Sequence, residues 1–215
     1  MKRLITFGCS NTEGQGLDNP EVEVWGAVLA RHLGRKFVNK GRQGASNKYI
    51  AYSIEQFNFL PDDFVIISWS FLDRYSILHD PNDFEKDDFE STTSILGLRN
   101  RNFITDIHHS NADNKLNEVS GTYYHLFHND YDSNFINKVF IDYSIDLLLY
   151  KQIEFKQIYF SRVEYINCRN RHLENFPFYF LPFFENYPKG TDDQHMGKEG
   201  NKALGDAMYQ HIVNK

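Results

Sequence analysis

Arg3-Leu4-Ile5-Thr6-Phe7-Gly8-Cys9-Ser10-Asn11-Thr12 decides how this chain folds. Arg3 to Phe7 is a short, nearly continuous apolar run that stops at a glycine, as expected of a strand buried on both faces. The small polar residues after it make a turn into a helix, and that turn holds the Ser10 hydroxyl just past the strand. Downstream, Val24, Ala27, Val28, Ala30 and Leu33 recur at helical spacing, with Gly34 as a stop signal, so a helix is expected over Val22 to Leu33. Lys36-Phe37-Val38-Asn39 reads as a second strand leading into Gly41 and Gly44. Ser46 or Asn47 then caps a helix running to about Leu60, with Tyr49, Ile50, Ser53, Ile54 and Phe57 on one face. Pro61-Asp62-Asp63 ends it, and Phe64 to Trp69 is a third strand. Strands separated by helices in this order make a parallel α/β sheet.

From about Asp80 to Asp132 the pattern weakens into a polar stretch rich in Asp, Asn, Ser and His. It reads as an insertion or lid on a single domain spanning residues 1–215, with a helix expected around Thr92 to Ile107, because so long a structureless loop is unusual in a compact domain. Helical period returns over Asn134 to Tyr150 through Phe135, Val139, Ile141, Ile145 and Leu148. Phe155 to Ser161 is a fourth strand, and Gly197 to Val213 a terminal helix carrying Ala203, Leu204, Ala207, Met208 and Ile212.

Composition narrows the function. A chain of 215 residues, 41% hydrophobic, is long enough for one full core. A net charge of -6 disfavours a phosphate-tracking surface, so no nucleic-acid partner is expected. No apolar run approaches the roughly 20 residues of a membrane span, and the apolar segment after Met1-Lys2-Arg3 is too short for a signal peptide. Two cysteines, Cys9 and Cys168, form neither a disulfide framework nor a metal-ligand spacing. A cytoplasmic protein without a membrane partner is the expectation.

In a doubly wound sheet, ligands bind beyond the carboxyl ends of the strands, near the point where strand order reverses. Ser10 follows the first strand, Gly41 and Gly44 the second, and Ser70 the third, so three loops converge on one edge. Near the other end of the chain, Asp192-Asp193-Gln194-His195 offers a carboxylate and an imidazole able to activate a hydroxyl. The backbone N–H groups of Ser10 and Gly44 are the candidate donors for charge on a carbonyl oxygen, glycine letting the backbone approach a substrate closely.

These residues, in this order, resemble the blocks of the SGNH (GDSL-type) hydrolases, a family of serine esterases, lipases and carbohydrate deacetylases on a flavodoxin-like, three-layer α/β/α sheet. The first block appears as Phe7-Gly8-Cys9-Ser10-Asn11-Thr12, the second as Asn39-Lys40-Gly41-Arg42-Gln43-Gly44, and the last as Asp192-Asp193-Gln194-His195 with Gly200 following. The resemblance implies Ser10 as nucleophile, His195 as general base, Asp192 as its orienting carboxylate and Gly44 as an oxyanion donor, with no cofactor. It also implies a short acyl ester as substrate, for example acetyl on a carbohydrate or other small polar molecule. One block departs from the family's Gly-x-Asn: the third strand ends Ser68-Trp69-Ser70-Phe71, and Ser70 stands where an Asn side chain would donate to the oxyanion. A hydroxyl is shorter than an amide and must rotate into place. Loss of one such donor typically lowers turnover on the order of 100- to 1000-fold.

Other residues compete for roles. Cys9 is an alternative nucleophile, although neighbouring side chains at a strand end point oppositely and an inward Cys9 is the expectation. Spacing favours Asp192 over Asp193 as the triad acid. Trp69, Arg74 and Asn11 are candidate substrate-binding residues, Arg74 for an anionic group or for an ordinary salt bridge. The aromatic run Phe176 to Phe184 supplies either a pocket wall or core packing. His108-His109, His125 and His128 lack the carboxylate or cysteine partners of a metal site, and no metal is expected. The departure at Ser70 keeps open a non-catalytic binding or structural module on the same scaffold. The same residues also suit acyl transfer to an acceptor other than water.

Overall fold

The computed structural model describes residues 2–72, 74, 129–160 and 179–214. The expected helix at residues 92–107, the four histidines between 108 and 128, Cys168, residues 176–178 and all but the last residues of the 80–132 insertion lie outside these.

Four parallel strands make one sheet: β1 (Arg3–Gly8), β2 (Lys36–Gly41), β3 (Phe64–Ser68) and β4 (Glu154–Ile158), in the order β2-β1-β3-β4. Between β1 and β2 lie α1 (Ser10–Glu13), α2 (Pro20–Glu23) and α3 (Trp25–His32). Helix α4 (Asn47–Glu55) links β2 to β3, and α5 (Asp130–Tyr150) precedes β4. Helices α6 (Leu181–Asn186) and α7 (Lys198–Val213) follow. The sheet is thus the expected parallel α/β sheet. From β1 the chain steps outward to β2 and then returns past β1 to β3, so strand order reverses between β1 and β3.

The period-2 alternation of a strand sorts the core into two halves. Ile5 and Phe7 of β1, with Val65 and Ile67 of β3, pack beneath Ile50 and Ile54 of α4 and Ile141, Ile145 and Leu148 of α5. Leu4, Phe64 and Ile66 face the other way, against Trp25 and Leu29 of α3 and Leu204 and Met208 of α7. Each such fully buried side chain contributes about 1.5–3 kcal/mol relative to exposure, so both helical layers are held by the sheet between them.

Element limits differ from expectation where distant contacts intervene. The helix expected over Val22 to Leu33 is broken at Val24, whose backbone is extended (ψ 145°). Trp25 then starts α3, and its N–H donates 3.0 Å to the buried Asn201 Oδ1 of α7. The next helix begins as expected, with Ser46 Oγ accepting from Tyr49 N at 3.3 Å, but it ends at Glu55 rather than near Leu60. Phe57 and Phe59 turn instead onto Phe7, with ring centroids 5.6 and 6.2 Å away. Strand β4 starts at Glu154 and ends at Ile158, and Tyr159 pairs with Tyr179 in a parallel bridge. That bridge extends the sheet edge by one rudimentary rung. No helix among the described residues is long and apolar enough to cross a membrane.

Candidate functional site

At the carboxyl edge of the sheet, Gly8 of β1 is in register with Gly41 of β2, and Phe7 with Ile67 of β3. Ser10 and Ser70 therefore sit at matching offsets beyond adjacent strands, on either side of the point where strand order reverses. The exit of β2 is tied to this edge by Arg42 N–H, which donates to Gly8 O at 3.0 Å.

Ser10 is the first residue of the one-turn helix α1, with Cys9 as its N-cap. Cys9 O accepts from Thr12 N and Glu13 N at 2.9 Å each, closing the turn so tightly that Ser10 is only 3% exposed. The Ser10 N–H, in the first turn, has no partner four residues back within the helix. Cys9 itself is buried among Ile5, Phe7 and Trp69, pointing into the core as expected and away from the hydroxyl beside it.

The loop between α6 and α7 brings the imidazole in. Gly190 N donates to His195 O at 2.9 Å, Gly197 N to Pro188 O at 3.0 Å, and Lys189 bridges Met196, so residues 188–197 form a narrow antiparallel loop. His195 Nε2 lies 2.9 Å from Ser10 Oγ, and His195 Nδ1 lies 2.5 Å from Asp192 Oδ2. The other carboxylate oxygen, Asp192 Oδ1, accepts from the backbone N–H groups of Gln194 and His195, both at 3.0 Å. Desolvation works to raise the Asp192 pKa, but those two N–H bonds and the imidazole outweigh it and hold the carboxyl below the usual range. An ionised carboxylate only accepts, which puts the imidazole proton on Nδ1 and leaves Nε2 free to accept from the Ser10 hydroxyl. Asp193, the alternative acid, is exposed, lies in the left-handed region (φ 54°) and donates its N–H to Gly190 O. Of the two carboxylates, Asp192 is the one that meets the ring.

Beyond β2, Gly44 adopts φ 71° in a turn closed by Ala45 N donating to Arg42 O at 3.1 Å. Beyond β3, Ser70 is 3% exposed, and its backbone is gripped from both sides by one side chain. Ser70 N donates 2.7 Å to Asn47 Oδ1, and Asn47 Nδ2 donates back to Ser70 O at 3.2 Å and to Asn137 Oδ1 at 2.7 Å. Asn137 Nδ2 in turn donates to Leu72 O and Ser133 O, both at 2.7 Å. Two buried amides from α4 and α5 thus fix the path of the chain after β3. Arg74 folds back over this segment: its Nη1 donates to Ser70 Oγ at 3.1 Å and to Ala45 O at 3.5 Å, and its guanidinium stacks on Phe71, 4.7 Å from the ring centroid.

Two expected substrate contacts fare differently. Trp69 is 2% exposed within the core, and its indole N–H donates to Gln157 Oε1 at 2.8 Å. That corrects its reading as a substrate-binding residue, since the side chain has neither surface nor donor to offer. Asn11 follows Ser10, is 8% exposed, and its Oδ1 is a buried acceptor with no hydrogen-bond partner among the described residues. In the aromatic run, Tyr179 pairs beside β4 and Phe180 packs edge-on against Trp25 at 6.0 Å, so both serve the core. No cluster of metal-ligating side chains occurs among the described residues.

Four site supports escaped the sequence reading: Asn47, Asn137, Asn201 and Gly16. Asn47, Asn137 and Gly16 act on segments far away in the chain, and Asn201 ties the segment after His195 to α3 through Trp25. Asn201 Nδ2 donates to Met196 O at 2.8 Å, fixing the residue after His195. Gly16 lies under the Asp192 carboxylate in a left-handed conformation (φ 81°), and its carbonyl accepts from Thr191 N at 2.8 Å. Asn137 and Asn201 did carry a signal: each falls four residues before a buried position on an otherwise apolar helical stripe, where a polar group needs a partner.

No family model and no curated protein sequence matches the chain. Among solved structures, the lipase Lip_vut3 from a goat rumen metagenome superposes with a TM-score of 0.52 at 9% identity, over 98% of this chain and 97% of that one. A lipolytic protein of the G-D-S-L family from Veillonella parvula DSM 2008 aligns at 14% identity over 100% and 97% of the two chains, with a TM-score of 0.36. A possible lipase from Chitinophaga pinensis DSM 2588 aligns at 13% identity over 99% and 98%, with a TM-score of 0.37. The chain shares the overall fold of the goat rumen lipase, a parallel α/β sheet between two helical layers.

Proposed function

We propose that this protein is a serine esterase that hydrolyses a short acyl ester through an acyl-enzyme. The observation that carries the reading is the unbroken hydrogen-bond chain from Ser10 Oγ through the His195 ring to the Asp192 carboxylate. His195 Nε2 takes the Ser10 proton as Oγ attacks the acyl carbonyl, and Asp192 stabilises the imidazolium that forms. The carbonyl oxygen becomes the oxyanion, met by the N–H groups of Ser10 and Gly44 and by the Ser70 hydroxyl. Collapse breaks the bond to the alcohol, which leaves with the proton held on Nε2. Water, deprotonated by the same nitrogen, then cleaves the acyl-enzyme and regenerates Ser10. No step calls for a cofactor.

Acetyl on a carbohydrate, the substrate class that the resemblance of the sequence blocks implies, is the preferred one. The test is turnover of a short-chain p-nitrophenyl ester by the native chain, Ser10→Ala and His195→Ala. Loss of activity in both variants is expected. A native chain that neither turns over the ester nor is labelled at Ser10 by a fluorophosphonate would replace this reading with that of a binding module, the alternative that Ser70 motivates.

A further inference from the structure

Resting on that reading, we infer that Arg74 is a positioning residue that makes the Ser70 hydroxyl a working oxyanion donor in place of an amide. A guanidinium carries only donors, so in the 3.1 Å contact Arg74 Nη1 donates and Ser70 Oγ accepts. The hydroxyl hydrogen of Ser70 therefore points elsewhere. The backbone groups of Ser70 are both engaged by Asn47, and among the described residues the bond from Arg74 is the one hydrogen bond of Ser70 Oγ.

A hydroxyl buried to this degree, with its hydrogen unclaimed, suits an acceptor that arrives with the reaction. Accepting from a cation also polarises the O–H bond, and a donor that is itself bonded to a charged group is the stronger one. Arg74 thus offsets both weaknesses of serine at this position: it restricts the rotor and strengthens the donor. The same Nη1 reaches Ala45 O at 3.5 Å, so one side chain spans the loops that carry Ser70 and Gly44. Phe71 beneath the guanidinium plane, 4.7 Å away, and the fork of donors above it explain why an arginine occupies this place.

The test is a double-mutant cycle on Ser70→Ala and Arg74→Met, read as kcat and KM for the short-chain ester and as the rate of Ser10 labelling by a fluorophosphonate. Ser70→Ala is expected to lower kcat on the order of 100-fold, as for loss of one oxyanion donor. Arg74→Met is expected to lower kcat roughly 10-fold with KM unchanged, and to add nothing in the Ser70→Ala background. Arg74→Lys keeps one donor and falls between. Ser70→Asn supplies its own amide donor and is expected to make Arg74→Met nearly silent. Effects that multiply independently across the cycle would overturn the proposal. So would a rise in KM alone on Arg74→Met, which would make Arg74 a contact for an anionic substrate group. A native chain without Ser10-dependent reactivity in either assay would defeat the esterase reading and this inference with it. Normal reactivity with an additive cycle would defeat this inference alone.

Discussion

Replacing Gly16 by alanine separates backbone strain from damage to the site, because Gly34 provides a matched control. Both glycines are left-handed, at φ 81° and 62°, so alanine at either costs about 1–2 kcal/mol in conformational strain. A methyl group at Gly34 would meet nothing within 4 Å. At Gly16 it would lie 2.7 Å from Asp192 Oδ1, 3.0 Å from Cγ and 3.1 Å from Oδ2, against an ordinary contact of 3.4–4 Å. The carboxylate must then retreat. It cannot do so freely, since Oδ1 is tethered to the N–H groups of Gln194 and His195 at 3.0 Å and Oδ2 to the imidazole. A misplacement of about 1 Å in a catalytic geometry can lower turnover on the order of 100-fold, and that is the expected fall in kcat for Gly16→Ala. Urea midpoints and ester kinetics on the two variants make the comparison. Both should lose stability, and only Gly16→Ala should lose kcat. Undiminished kcat in Gly16→Ala, or an equal fall in Gly34→Ala, would refute the claim that Gly16 is small to make room for the carboxylate.

Asn47→Ala strips partners from the backbone of Ser70 and from Asn137, and is expected to cost about 3 kcal/mol and lower kcat about 10-fold, by urea unfolding and ester kinetics. At the opposite edge of the sheet, the Asp63 side chain is 1% exposed and accepts from Arg3 and from Leu60 N. Asp63→Asn removes the counter-charge of that guanidinium, which keeps its bond to Asn58 O, and is expected to cost about 3 kcal/mol in urea unfolding with kcat unchanged. Asp192 has a lowered folded pKa, so its contribution to stability is present above the unfolded value of about 3.9 and lost as pH falls through the folded one. The difference in unfolding free energy between the native chain and Asp192→Asn should therefore not shrink between neutrality and about pH 5, and should shrink only below pH 4; shrinkage already near pH 6 would contradict the assignment.

What the sequence made legible was what short-range pattern encodes. The apolar runs of β1 and β3 are buried on both faces, so their identity needs no partner to read. The glycines at the strand ends mark where loops open onto one edge. Less legible were features decided by residues distant in the chain. Nothing near Val24 announces a helix break, because the acceptor that makes it belongs to Asn201, 176 residues on from Trp25. Trp69 looked available for a substrate because it follows a strand, whereas its burial depends on Gln157 in β4. Gly16 resembles any turn glycine until the loop of Asp192 is laid over it. Ser70 could be placed by alignment to the neighbouring blocks, but its pairing with Arg74 follows from how the chain doubles back after β3.

Ser10 and His195, the proposed nucleophile and base, lie 185 residues apart, on the first strand's exit and on the loop before α7. During synthesis Ser10 leaves the ribosome long before His195 exists, so an emerging chain carries an ordinary, unactivated alcohol. On the proposed reading, reactivity requires α7 to be docked against α3 with its preceding loop laid over Gly16. Susceptibility to a fluorophosphonate thus doubles as a gauge of completed folding, reporting closure of the last layer over the first.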